Sequence, residues 1–301
     1  MIVINNAILY RLTSPAPLSA AVIEAGLQGH AFEPCGPTQE KAHGFVPPRG
    51  EANGALVESV GGQLIMKLLT ETKSVPALVI GRMVDEKVAQ IFQSTCRKPG
   101  KMETRDLKDD ARNALLPTAF PSQAATLIWI DPASGLLVVG ASGQYKADNV
   151  VTCLVKAIEG LAVSLLCSKV SPTGAMADWL VSQEAPTGFS VDRACELRAA
   201  DESKAVVRYS NHRLDTDEVK HHIEGGKMPT ELALTWSDRV SFVLNDGLQL
   251  KRIAFLDVVF EGISKADSAA DGFDADVAIM TGELSKLIVD LVNALGGELS
   301  A

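Results

Sequence analysis

Hydrophobic positions along this 301-residue chain change their period several times, and each change marks a predicted element. Residues Ile2 to Tyr10 read as a strand, Ser19 to Leu27 as a short amphipathic helix, and Gly62 to Leu69 as a second apolar strand. Between them, Cys35-Gly36-Pro37 and Val46-Pro47-Pro48-Arg49-Gly50 are turn material. From residue 76 the period becomes helical, with Met83, Val84, Val88, Ile91 and Phe92 in step. Arg97-Lys98-Pro99-Gly100 must break that helix, and a second one carrying Leu107, Ala111 and Leu115 follows. The pair predicts an αα-hairpin with cationic residues at its tip. A β pattern returns at Thr126: Leu127-Ile128-Trp129-Ile130 and Leu136-Leu137-Val138-Val139 flank a five-residue loop, Asp131 to Gly135. A helix from about Ala147 to Glu159 ends at Gly160, and Leu161 to Cys167 suits a returning strand.

The last third begins with a short helix carrying Trp179. Asp215-Thr216-Asp217-Glu218 resembles a capping box for a helix around Val219 and Ile223, stopped by Gly225-Gly226. Leu232, Leu234 and Trp236 alternate, as do Val240, Phe242 and Leu244, and Asp246-Gly247 turns the chain into a third strand from Leu248 to Leu256. A final helix from Asp274 to Leu295 sets Met280, Leu284, Leu287, Ile288, Leu291 and Leu295 on one face, with Gly296 as its stop. The expected fold is α+β: mixed sheets with helices, an inserted helical hairpin, and a C-terminal three-stranded meander plus long helix. Residues 1–75 and 118–167 would form a central unit, 76–117 an inserted tip, and 168–301 a base. Trp129, Trp179 and Trp236 fall in apolar patterns and are expected in the core.

Composition adds limits. Hydrophobic content of 47% with 22% charged residues is that of a globular chain. No apolar run approaches a membrane span, and the first twelve residues lack the basic start and long apolar core of a signal peptide. Five scattered cysteines, none spaced C-x-x-C, suit reduced thiols rather than disulfides or zinc, so a cytoplasmic setting is expected. The net charge of −9 argues against a polyanion partner until it is located. Residues 257–301 hold two basic and nine acidic side chains, whereas 82–112 hold eight basic and six acidic. Phosphate responds to the local field, so DNA stays open as a partner.

Candidate chemistry is sparse. Lys101, Arg105, Lys108 and Arg112 recur at spacings of four, three and four, which places them in one helical stripe next to Arg97 and Lys98. Such a stripe suits phosphates, and it equally suits a solvated surface, the commoner role of charge runs. No nucleotide-binding glycine loop, zinc-protease motif or nucleophile elbow is present. Adjacent His221 and His222 point to different sides of a helix, so a metal-dependent hydrolase built on His221 to Lys227 is a weak alternative. Tyr209 lies beside Arg208 and the loop leading to Arg213; this suits nucleic-acid contact, though a plain surface tyrosine is the simpler expectation. Phe120, held between Pro117 and Pro121, suits either ordinary burial or a subunit contact. A protein–protein adaptor is the third reading.

These residues also carry a resemblance. Phe32-Glu33-Pro34-Cys35-Gly36, Gly44 to Pro48, Leu115 to Phe120, His222 to Lys227, Leu232 to Trp236, and the closing Phe273 to Asp276 with Met280 to Leu284 are similar in order and spacing to the bacterial recombination-associated protein RdgC family. The resemblance covers essentially the whole chain. It implies a ring-shaped homodimer that encircles double-stranded DNA without sequence preference. It also implies a nucleoid-associated, non-enzymatic protein that needs no cofactor or metal and restrains the strand-exchange recombinase. Phe120 then carries an interface role and Lys227 a place near DNA. Phosphate contacts are expected from Arg97, Lys98, Lys101, Arg105, Lys108 and Arg112, and from a second group of Arg208, Arg213 and Lys227. The acidic C-terminal part is expected to face outward. Asn211 and His212 depart from the family pattern, which has a lysine and an amide there.

Overall fold

The computed structural model describes residues 3–13, 19–261 and 269–299, with side chains from residue 272 in the last stretch. The start of the predicted strand at Ile2 lies outside the described residues. Two antiparallel sheets organise the chain. The first combines β1 (Ile8–Leu12), β2 (Lys41–Val46), β3 (Val57–Val60), β4 (Gln63–Lys73), β5 (Pro121–Asp131), β6 (Leu136–Val139) and β7 (Val163–Leu165), in the order β2-β4-β5-β6-β1-β7. β2 and β3 share one edge of β4, pairing with Lys67–Thr72 and Gln63–Met66 respectively.

Both faces of this sheet are covered, which explains its unbroken apolar runs. Side chains alternate between two cores. Leu64, Met66, Ile128, Ile130, Leu137 and Val139 pack beneath α1 (Ala20–Gln28) and α4 (Gln144–Ala157). Their neighbours Ile65, Trp129, Leu136 and Val138 enter the core on the opposite face. Ser19 caps α1 by accepting from the Val22 amide. Gly26 lets α1 meet the end of α4, since a Cβ there would lie 2.3 Å from the Ala157 carbonyl oxygen.

The second sheet holds β8 (Phe189–Ala199), β9 (Val206–Tyr209), β10 (Lys227–Trp236), β11 (Val240–Asn245) and β12 (Leu250–Phe255), ordered β12-β11-β10-β8-β9. The predicted meander is β10 to β12, and two unforeseen strands extend it along the free edge of β10. β8 escapes sequence reading because Asp192, Arg193 and Glu196 interrupt its apolar positions and its register with β10 slips twice. β9 corrects the reading of Tyr209. That residue is 9% exposed, sits in the core and donates its hydroxyl to Glu218 of α6 (Asp217–Glu224). Glu218 is thereby taken from the expected capping box. The N-cap is Thr216, whose side chain makes no capping bond.

One face of the second sheet packs with α5 (Pro172–Ser182), α6 and α7 (Ala269–Ala294). Val277, Met280, Leu284, Leu287, Ile288 and Leu291 of α7 share one cluster with Trp129 of the first sheet and Leu234 and Phe242 of the second. The three tryptophans are buried, as expected. Gly296, with φ +79°, follows the end of α7.

The described acids of the C-terminal segment are mixed: Glu283 is buried, Asp257, Glu261 and Asp290 are exposed, and several are tied to partners within the fold. Glu283 accepts two hydrogen bonds from Arg239 at 2.7 Å, Asp290 accepts from the Trp236 indole, and Glu298 pairs with Arg11. Asp274 and Glu58 both hold Arg49, whose guanidinium stacks 4.3 Å from the Phe273 ring centroid.

Candidate nucleic-acid interface

The hairpin insertion sits where the sequence places it. α2 (Ala77–Thr95) and α3 (Lys101–Leu115) leave and rejoin the first sheet between β4 and β5, which stay paired out to Lys73 and Pro121. Ile80, Val84 and Ala111 form a small core of their own, backed by Val88, Leu107 and Leu115. Cys96 ends α2 in a left-handed conformation, and Gly100 opens α3. A 15-residue helix then separates this turn from Leu115 by about 22 Å at 1.5 Å per residue.

On α3 the predicted stripe is real. Lys101, Arg105 and Lys108, with Pro99 and Thr104, line a shallow groove of about 380 Å³ that contains no carboxylate. Lys98, Lys101, Arg105 and Lys108 form no ion pair among the described residues. The other two predicted cations are partly engaged: Arg97 pairs with Glu103 at 3.0 Å, and Arg112 reaches Glu40 at 3.5 Å. None of Asp106, Asp109 and Asp110 lines this groove, and Asp106 and Asp110 occupy other positions on the helical wheel.

The second predicted group is not brought together. Arg208 lies on the open face of the second sheet, 2.6 Å from Glu196, which also holds Arg198. Those contacts, the Arg208 bond first, keep the Glu196 carboxyl below the usual carboxylate range. Lys227 lies 3.0 Å from His222 on α6, against the opposite face. Arg213 pairs with Asp215 beside a third region, a hollow floored by Trp179 and Leu180. Each of these cations has a local partner, unlike Lys98, Lys101, Arg105 and Lys108.

Phe120 is 93% exposed, the most exposed large apolar side chain described. It stands at the base of the hairpin, far from the cationic turn. Leu78 and Val79, at the start of α2, are also exposed, and sequence reading missed them because they lie in helical phase with no turn residue to mark them. The His221 and His222 rings are engaged separately, by the Asp217 carbonyl and by Lys227. No group of three His, Cys, Asp or Glu side chains able to hold a metal occurs among the described residues.

A family model described as "Putative exonuclease, RdgC" matches residues 2–298. The chain is 43% identical over 295 residues to the "Recombination-associated protein RdgC" of Janthinobacterium sp. (strain Marseille), covering 98% of each. It is also 43% identical over 301 residues to that of Cupriavidus necator, covering 99% of each, and 41% identical to that of Dechloromonas aromatica over 298 residues, 98% of this chain and 97% of that one. Similarity on this scale spans both sheets, the hairpin and the long closing helix, and the chain belongs to the RdgC family of recombination-associated proteins.

Proposed function

We propose that this chain binds double-stranded DNA without sequence preference, as a ring-shaped homodimer around the duplex, and so restrains the strand-exchange recombinase. The observation that carries the proposal is the row of Lys101, Arg105 and Lys108 around a groove free of carboxylates, whereas the predicted cations Arg97, Arg112, Arg208 and Arg213 are paired with acids. A flexible, unpaired cationic row meets phosphates and leaves base edges unread, which is non-specific binding. Phe120 supplies the self-association contact: an apolar side chain left in water by the monomer gains from burial against a second copy. The proposed setting is the cytoplasm, on the nucleoid. No helix among the described residues is long and apolar enough to cross a membrane.

Duplex binding measured across a salt series tests this. Log affinity should fall linearly with log salt, by about 0.9 per phosphate neutralised. A flat response would overturn the proposal. The exonuclease in the family model's description is a different reading, since metal-assisted phosphodiester cleavage needs clustered carboxylate or histidine ligands. Incubating the protein with end-labelled duplex and magnesium separates the two: the proposal predicts intact DNA.

A further inference from the structure

A second cationic pocket lies away from the hairpin tip, between the helix-covered face of the first sheet and the side of α4. Three strands form its floor in aligned rows. Leu68 and Thr126 pair across β4 and β5, and His43, Thr70 and Ala124 make the next row across β2, β4 and β5. Lys41 closes the open end, and the first two turns of α4 contribute Tyr145, Lys146 and Asn149. The pocket holds about 200 Å³, and no carboxylate lines it. The other hollows on the second sheet are balanced, one by Asp192 and Asp215 and another by Glu196 and Glu231.

Two observations mark this pocket as built for an anion. Thr126 is 1% exposed in the floor, and its Oγ1 has no hydrogen-bond partner. A buried hydroxyl without a partner is unfavourable, and the pocket is where a partner can enter. The surrounding field is also positive. The His43 imidazole is pushed below its ordinary range by burial, then by Lys41 and by Lys156. Lys41 Nζ sits 5.8 Å from the Tyr145 ring centroid, a cation held against a ring rather than against an acid.

We propose that this pocket binds one phosphate-sized oxyanion, with Lys41 and Lys146 supplying charge and Thr126, Thr70 and Asn149 supplying hydrogen bonds. The same chemistry fits free phosphate or the phosphate of a mononucleotide whose base stacks on Tyr145. The site is independent of the proposed duplex contacts, because none of its residues belongs to the hairpin.

Isothermal titration of the full chain in chloride buffer, with inorganic phosphate and separately with adenosine monophosphate, tests it. One saturable site per chain is expected, with a dissociation constant at or below about 1 mM. Lys41→Met combined with Lys146→Met should weaken binding at least about tenfold, the scale expected on removing two charge-assisted hydrogen bonds. Thr126→Val should weaken phosphate binding severalfold, yet melt no lower than the wild type without phosphate, because the substitution removes an unpartnered buried hydroxyl. Tighter binding of the mononucleotide, abolished in Tyr145→Ala, identifies a nucleotide as the source; equal affinities identify free phosphate. The same measurements on Lys101→Ala/Arg105→Ala/Lys108→Ala should be unchanged, which keeps failure here distinct from failure of the duplex reading. Absence of saturable heat in the wild type, or full binding by the double lysine variant, would overturn the proposal. So would displacement of phosphate by a short duplex in both the wild type and the tip variant, which would make the pocket part of a nucleic-acid surface.

Discussion

Phe120 can be changed without touching the core, which makes it the sharpest single-residue probe. With 93% of its surface exposed, Phe120→Ser should shift unfolding stability by no more than about 0.5 kcal/mol, as expected for a surface site. Self-association should nevertheless fall, as sedimentation velocity over a range of concentrations would report. A variant that unfolds readily, or one that still associates like the wild type, would contradict its interface role. Glu283 offers the opposite case, a charge tied inside the fold. Its carboxyl is held below the usual range chiefly by the Arg239 hydrogen bonds, while burial pushes the other way. A carboxyl with a depressed folded-state pKa adds stability that is fully present above its unfolded value of about 4.3 and is lost as pH falls through the folded value. Glu283→Gln should therefore melt below the wild type at pH 7, and the gap should close as pH falls below about 4. A gap that stays constant with pH would show that the pair contributes nothing by its charge.

At the scale of elements, the hairpin is the separable part. β4 and β5 stay paired to Lys73 and Pro121, and the hairpin buries only a small core of its own. Replacing residues 74–120 with an Asn-Gly turn should leave the two-sheet body folded, with its melting temperature lowered by only a few degrees, as expected when little buried apolar surface is removed. The same deletion should abolish duplex binding at physiological salt. Lys101→Ala/Arg105→Ala/Lys108→Ala should reduce the slope of log affinity against log salt by about 2 to 3, at roughly 0.9 for each phosphate that no longer meets a cation. Arg208→Ala should change it less, because Glu196 already neutralises that cation. In α7, Leu284→Ala should cost about 2–5 kcal/mol by urea unfolding, since Leu284 is fully buried in the core that joins both sheets. The hairpin and α7 were legible in the sequence because their apolar positions repeat over many turns. β2, β3, β8 and β9 were not, for they are short or broken by charged residues, and their identity is settled by the partner strand. The cationic stripe was legible as a spacing. Which of its members remain unpaired depended on acids elsewhere in the chain, such as Glu40 beside Arg112, and spacing along the helix carries no information about those.

On the scale of the whole molecule, charge is sorted rather than merely summed. The net −9 conceals acids of the C-terminal segment that clamp Arg11, Arg49, Arg239 and Trp236, and so serve the fold. At the hairpin tip Lys98, Lys101, Arg105 and Lys108 have no such partners among the described residues, which leaves them open to the proposed phosphates. Acids tied to partners within the fold, and a row of unpaired cations on the hairpin, make the proposed duplex partner compatible with an acidic chain. The direct test is retention on DNA of two topologies at physiological ionic strength: the protein is loaded on closed circular duplex, half of the sample is linearised, and both are washed. A ring around the duplex predicts that protein stays on the circles and is lost from the linear molecules through their ends. Equal loss from both would contradict encirclement, and no binding to either would contradict the duplex reading itself.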